Sequence, residues 1–143
     1  MSKLRSDTSI EELNQLGGGC LPGMFEMEMT ELAEGLLKSR MTIKPSHLAH
    51  NGYLHAAAIV ALADTTCGSA CIAHLPEGAI SFTTIELKSN HLGTVRQGAI
   101  CCEASVQHLG KSTQVWDAVV ADEVSGKRIA LFRCTQMVLW PKG

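Results

Sequence analysis

The chain has 143 residues, enough for one domain and short of two. Hydrophobic residues make up 45% and charged residues 18%, which excludes an intrinsically disordered chain. The net charge of -2 excludes a general nucleic-acid binder, and so few charges suggest a surface that continues into contacts between copies, hence an oligomer.

The first seven residues, MSKLRSD, are polar and no apolar run follows, so no secretory leader is expected. Residues 8–16 predict a short helix with Thr8 or Ser9 as its N-cap and Glu11 and Glu12 in its first turn. Gly17 to Gly19 end it, and Leu21-Pro22-Gly23 predicts a loop, so that 1–24 is an N-terminal helix and loop. From Phe25 to Leu32, Phe25, Met27 and Met29 alternate with Glu26 and Glu28, a strand whose hairpin partner runs from Leu36 to Ile43 after Ala33-Glu34-Gly35. Pro45 to Gly52 reads as a polar loop. The apolar run from Leu54 to Leu75 is long enough to be tested as a membrane span. It carries Asp64 near its middle, which costs about 2.5–3.5 kcal/mol at the bilayer centre, besides His55, Thr65, Thr66, Ser69 and His74. We therefore expect a helix buried within the protein and no membrane partner.

Four strands are expected after Gly78: Ile80 to Ser89, Ala99 to His108, Thr113 to Ala121 and Arg128 to Trp140, with tight turns at Leu109-Gly110-Lys111 and Ser125-Gly126-Lys127. One helix followed by antiparallel hairpins is an α+β pattern. A helix apolar almost all round must be covered on most sides. The expected architecture is thus one domain over 1–143 with a sheet curled around a central helix at about 54–75, the hotdog fold. The six cysteines form no disulfide pattern and no CxxC pair, and are expected as buried thiols in a reducing cytoplasm, with no metal site.

Asp64 is the anomaly of this helix. Positions three and four residues away hold Val60, Ala61, Cys67 and Gly68, so no local cation pairs with it. A carboxylate so placed is either held by a distant polar group or serves as a general base or nucleophile. At the helix start, small side chains follow His55, and first-turn amides are unpaired donors able to hold an oxyanion. Ala56 and Asp64 are eight residues apart, about 12 Å along a helix, so two chains must combine if both act on one substrate.

The stretches HNGYLHAAAIVALADTTCGSA, FTTIELKSNHLG, QHLGKSTQVWDAVV and ALFRCTQMVLW resemble the hotdog acyl-CoA thioesterases of the phenylacetic-acid-degradation type, over about 25–140. His55-Ala56-Ala57 stands in the place of that family's His-Gly-Gly, and Leu62-Ala63-Asp64 in the place of its Leu-Ala-Asp. The resemblance implies an acyl-CoA thioesterase with Asp64 as base or nucleophile and the Ala56 amide as oxyanion hole, the two drawn from neighbouring subunits of a dimer or tetramer. It implies catalytic contacts from Asn51, His55 and His50. Substrate and CoA contacts are expected from Gly52, Thr66, Ser81 and Thr83, and from Lys88, Asn90, His91, Lys111 and Ser112. No cofactor is expected, since CoA is part of the substrate. Two departures stand out: alanines replace both glycines, and Ala49 occupies the place of an upstream asparagine. Asn51 or His50 would fill that role only if the loop shifted. The readings weighed against hydrolysis are a non-catalytic acyl-CoA-binding protein and a hydroxyacyl-thioester dehydratase, whose His-Phe-Pro-Gly loop and Asp-x4-His motif are absent.

Overall fold

The computed structural model describes residues 3–143. It contains α1 (Ile10–Leu16), α2 (Leu21–Met24), β1 (Glu28–Ala33), β2 (Leu36–Thr42), a 3-10 turn (Pro45–His47), α3 (Ala56–Ala73), β3 (Ser81–His91), β4 (Ala99–Leu109), β5 (Thr113–Asp122) and β6 (Arg128–Leu139). The strands form one antiparallel sheet in the order β1-β2-β4-β5-β6-β3, which leaves β1 and β3 at its edges. This sheet with α3 on its inner face is the hotdog arrangement expected from the sequence. By length and apolarity α3 could cross a bilayer, yet Ile59, Leu62, Ala63, Cys67, Ala70 and Cys71 on it are buried inside the protein.

Two expectations in the N-terminal part change. Leu21-Pro22-Gly23 forms the one-turn helix α2 rather than a loop, with Pro in its first turn, where a missing N–H costs nothing. Residues 25–27 are not strand: Glu26 adopts φ 53° and breaks the extended run, so β1 starts only at Glu28. Ser9 rather than Thr8 caps α1, with a reciprocal box in which the Glu12 N–H donates to Ser9 Oγ and the Ser9 N–H to Glu12 Oε2.

The strand alternation read from the sequence holds in β4, where Ile100, Cys102 and Ala104 are buried on the helix side. Trp116, Val120, Ile129 and Phe132 extend the same core across β5 and β6. The C-terminal end of α3 is locked by His74. Its Nδ1–H donates to the Ala70 carbonyl at 2.7 Å while Nε2 accepts the Gly35 N–H at 2.9 Å, and its ring lies 5.1 Å from that of Trp116. Those bonds require the neutral ring.

Candidate active site

The helix start is held from three directions. The His55 N–H donates to the His47 carbonyl, the Leu54 N–H to the Val95 carbonyl, and Leu48 bridges Leu54. Gly52, at φ 86°, lets the loop turn, and the Ala49 N–H donates to the Tyr53 carbonyl at 2.7 Å. His55 Nδ1 accepts the Ala57 N–H at 2.9 Å, and the Ala58 N–H donates to the His55 carbonyl. The Ala56 N–H is left without a partner among the described residues, at an exposed position. That is the expected free donor, isolated by the cap chemistry of its neighbours.

Among the described residues, neither Asn51 nor His50 is hydrogen-bonded to the Ala56 N–H. Asn51 Oδ1 accepts the N–H of Tyr53 at 3.2 Å within its own turn, and His50 is exposed. Arg96, which sequence reasoning passed over, lies with its guanidinium 4.1 Å above the Tyr53 ring and places a cation beside this loop.

Asp64 lies on the face of α3 that looks toward the N-terminal segment. It lines a cleft of about 310 Å³ between α3, α1, α2, β1 and β3. Oδ1 is buried and has no hydrogen-bond partner among the described residues. Burial pushes the carboxyl pKa up from its ordinary 3.8, and the cleft wall supplies no cation to oppose that. Around it the wall is mostly apolar, with Leu13, Met27, Met29, Ile72 and Phe82.

Several residues expected at the substrate lie outside the Asp64 cleft of the single protomer. Thr66 faces the sheet: it is fully buried and its hydroxyl donates to the Leu62 carbonyl at 2.7 Å, 2.6 Å from Ser39 Oγ. The neighbouring Thr65, with Ser69 one turn on, lines the cleft instead. Ser81 and Thr83 are exposed, while Phe82 and Thr84 point into the cleft. The period of two forces that choice once Phe82, half-buried, packs opposite Val138 and Thr84 lies opposite Gln136. Phe82 fits because α3 has Gly68 there: a Cβ at 68 would stand 2.9 Å from the ring.

The expected CoA contacts are scattered. Lys88 and Asn90 share a shallow outer groove with Arg133 and Asp117, which pair with each other. His91 is exposed at the end of the edge strand. Lys111 and Ser112 form the β4–β5 turn against Trp140, whose indole N–H donates to the Lys111 carbonyl. Within one protomer none of these reaches the Asp64 cleft.

A six-stranded antiparallel sheet around one long helix defines a hotdog protein, here with an unpaired acid facing a cleft from that helix. The sequence model of the thioesterase superfamily matches residues 51–129, from the loop before α3 to the start of β6. The chain belongs to the thioesterase superfamily, and is a thioester hydrolase. Among its relatives is a 1,4-dihydroxy-2-naphthoyl-CoA hydrolase of Escherichia coli, 28% identical over 131 residues, 92% of this chain and 95% of that one. A crystal structure of a mutant thioesterase from Pseudomonas aeruginosa superposes with a TM-score of 0.90 at 25% identity, covering 96% of this chain and 99% of that one. The PaaI protein of the Escherichia coli phenylacetic acid degradation operon shares the fold, with a TM-score of 0.76 at 20% identity over 92% of this chain and 96% of that one.

Proposed function

We propose that the protein hydrolyses an acyl-CoA thioester to the free acid and CoA, with Asp64 as the catalytic carboxylate. The observation that carries this reading is Asp64 itself: a partly buried acid with one oxygen unpaired, in a mostly apolar cleft that holds no cation. Such a group is costly to the fold and has no structural partner to justify it. At neutral pH it is a base stronger than an ordinary aspartate.

In the general-base route, Asp64 takes a proton from water as the water oxygen bonds to the thioester carbon. The resulting oxyanion is held by a backbone N–H, and its collapse breaks the C–S bond. The departing CoA sulfur leaves as thiolate or takes the proton back from Asp64. In the nucleophilic route the carboxylate attacks first, expels the thiolate and leaves an anhydride that water opens. Both routes direct the same carboxylate at the same thioester carbon, through a water in the first and directly in the second, and neither requires a cofactor. The free Ala56 N–H is the donor that suits the oxyanion, supplied by a neighbouring copy because α3 holds it about 12 Å from Asp64 in one chain. The His55 ring, bound through Nδ1 to the Ala57 N–H, fixes the backbone that presents this donor.

The protein is thus proposed to be a homo-oligomer, a dimer that shares its sites and assembles further into a tetramer, working in the cytoplasm. The edge strand β3 supports this, since its backbone is unpaired on one side and it exposes Ile85 and Leu87. The cleft volume lies at the small end of ligand pockets, about 300–1,000 Å³, and favours a compact acyl group, aromatic or short-chain. The test is CoA release from a panel of acyl-CoAs by wild type and Asp64→Asn. Turnover that falls by about 10²–10⁴-fold in the variant, with its oligomer intact, is expected. Undiminished turnover in the variant would remove Asp64 from the mechanism. No turnover on any substrate, with tight acyl-CoA binding, would leave a binding protein.

A further inference from the structure

The roof of the Asp64 cleft is made by residues 10–24, a segment the catalytic reading does not use. Leu13, Leu16 and Gly17 come from α1 and its C-cap, and Cys20, Pro22 and Gly23 from the turn and α2. The floor is α3, which lines the cleft from Asp64 through Gly68 to Ile72, a run of about 12 Å. Roof height over that run therefore decides how much acyl group fits beyond the reacting carbon.

Leu13 packs this roof into the core, and a single side chain hydrogen-bonds it to the sheet. Asn14 Nδ2 donates to the Met29 carbonyl at 3.0 Å, and the Met29 N–H donates to Asn14 Oδ1 at 2.7 Å. Because β1 is an edge strand, the amide of Asn14 occupies the place where a seventh strand would pair. These are the only side-chain hydrogen bonds from residues 10–24 to the sheet among the described residues. The roof is also packed as one piece: Gly23 lies so close to the α1 C-terminus that a Cβ there would stand 2.4 Å and 2.6 Å from the Gly18 and Gly17 carbonyl oxygens. One latch holding one rigid piece gives a fixed ceiling.

We propose that α1 is the acyl-length stop of the cleft and that Asn14, acting through Met29, is the positioning residue that sets it. This rests on the thioesterase reading of the same site. It assigns the substrate an acyl group short enough to end beneath Leu13 and Leu16, and it places specificity in the N-terminal segment rather than in the catalytic helix.

The experiment measures binding of non-hydrolysable S-alkyl-CoA thioethers of increasing chain length by calorimetry, with kcat and KM for the matching acyl-CoAs alongside. Two variants are compared with wild type. Asn14→Leu keeps the branched shape of the side chain and removes both latch bonds. Leu16→Ala lowers the roof contact at a residue that is 60% exposed, so it leaves the fold intact. In wild type, affinity is expected to rise with each methylene to a maximum and then fall. In both variants the maximum moves to longer chains, with at least about a tenfold gain in affinity at the first length the wild type rejects. The KM for long acyl-CoAs falls with it, by a larger factor than any change in kcat or KM on short ones. If Asn14 only protects the sheet edge, stability and activity drop at all lengths together and the maximum stays where it was, which overturns the proposal. Thioether binding with an unmoved maximum in both variants overturns it alone. Failure of every thioether to bind overturns it together with the thioesterase reading.

Discussion

Asp64 sets stability against function within one side chain. Its native pKa is raised by burial above the unfolded value, so the protonated form is the better tolerated one. The group's contribution to stability is therefore present below the unfolded pKa and is lost as pH rises through the native one. Asp64→Asn should melt higher than wild type at neutral pH, with the difference shrinking as both are acidified, in thermal melts across pH. Activity runs the other way: kcat/KM is expected to rise with pH through an apparent pKa above 3.8, the ordinary value for aspartate. His74 gives the opposite pH signature. Burial lowers its native pKa below 6.5, and the Gly35 N–H bond to Nε2 is lost on protonation. Its contribution is complete above the unfolded value and disappears as pH falls through the native one. In melts at falling pH, wild type should lose its stability margin over His74→Gln. Buried His47 shifts the same way but is common to both proteins.

At the scale of elements, the contact of α3 with β3 depends on one missing side chain. A methyl group at 68 would meet the Phe82 ring at 2.9 Å, so Gly68→Ala should cost about 1–3 kcal/mol of overpacking, partly offset by about 1 kcal/mol of helix propensity. Combining it with Phe82→Leu should recover most of that loss, and a double-mutant cycle on unfolding free energies reads the coupling directly. The same pair decides which face of β3 meets the helix and leaves Ser81 and Thr83 exposed. Ser81 and Thr83 were attractive as polar residues near a helix, but what turns a strand is its bulkiest apolar member. Phe82 opposite Gly68 was the signal available in the sequence.

The whole molecule must bring together what α3 keeps apart. Ala56 is the first residue of the helix, and His55 before it has φ -66° and ψ 134°, a conformation that tolerates a following proline. Ala56→Pro should therefore delete the free N–H with little cost to the fold and abolish hydrolysis. Mixed one to one under subunit exchange, inactive Asp64→Asn and inactive Ala56→Pro should regain about a quarter of wild-type activity. In that case half the dimers are mixed and each mixed dimer has one intact site out of two. No recovery, with exchange confirmed by mass, would show that both groups act within one chain.

The element order was legible because it rests on local physics: periodicity of two in β4, an apolar run with a small-residue start in α3, and punctuation at Gly17, Gly35 and Gly78. Asp64 was legible for the same reason, as a charge no neighbour on its own helix could pair. The N-terminal roof was not. Residues 10–24 read as a helix and a loop, and only packing shows that Asn14 pairs with the edge of β1 and closes the cleft. Which of two adjacent hydroxyls faces the Asp64 cleft, Thr65 or Thr66, was likewise decided by the sheet: Ser39 sits where Thr66 points. A sequence determines which segments must be covered, because burial follows from side-chain chemistry. What covers them, and which polar group is left over to act, depends on contacts between residues far apart in the chain, and those exist only once the sheet has closed around the helix.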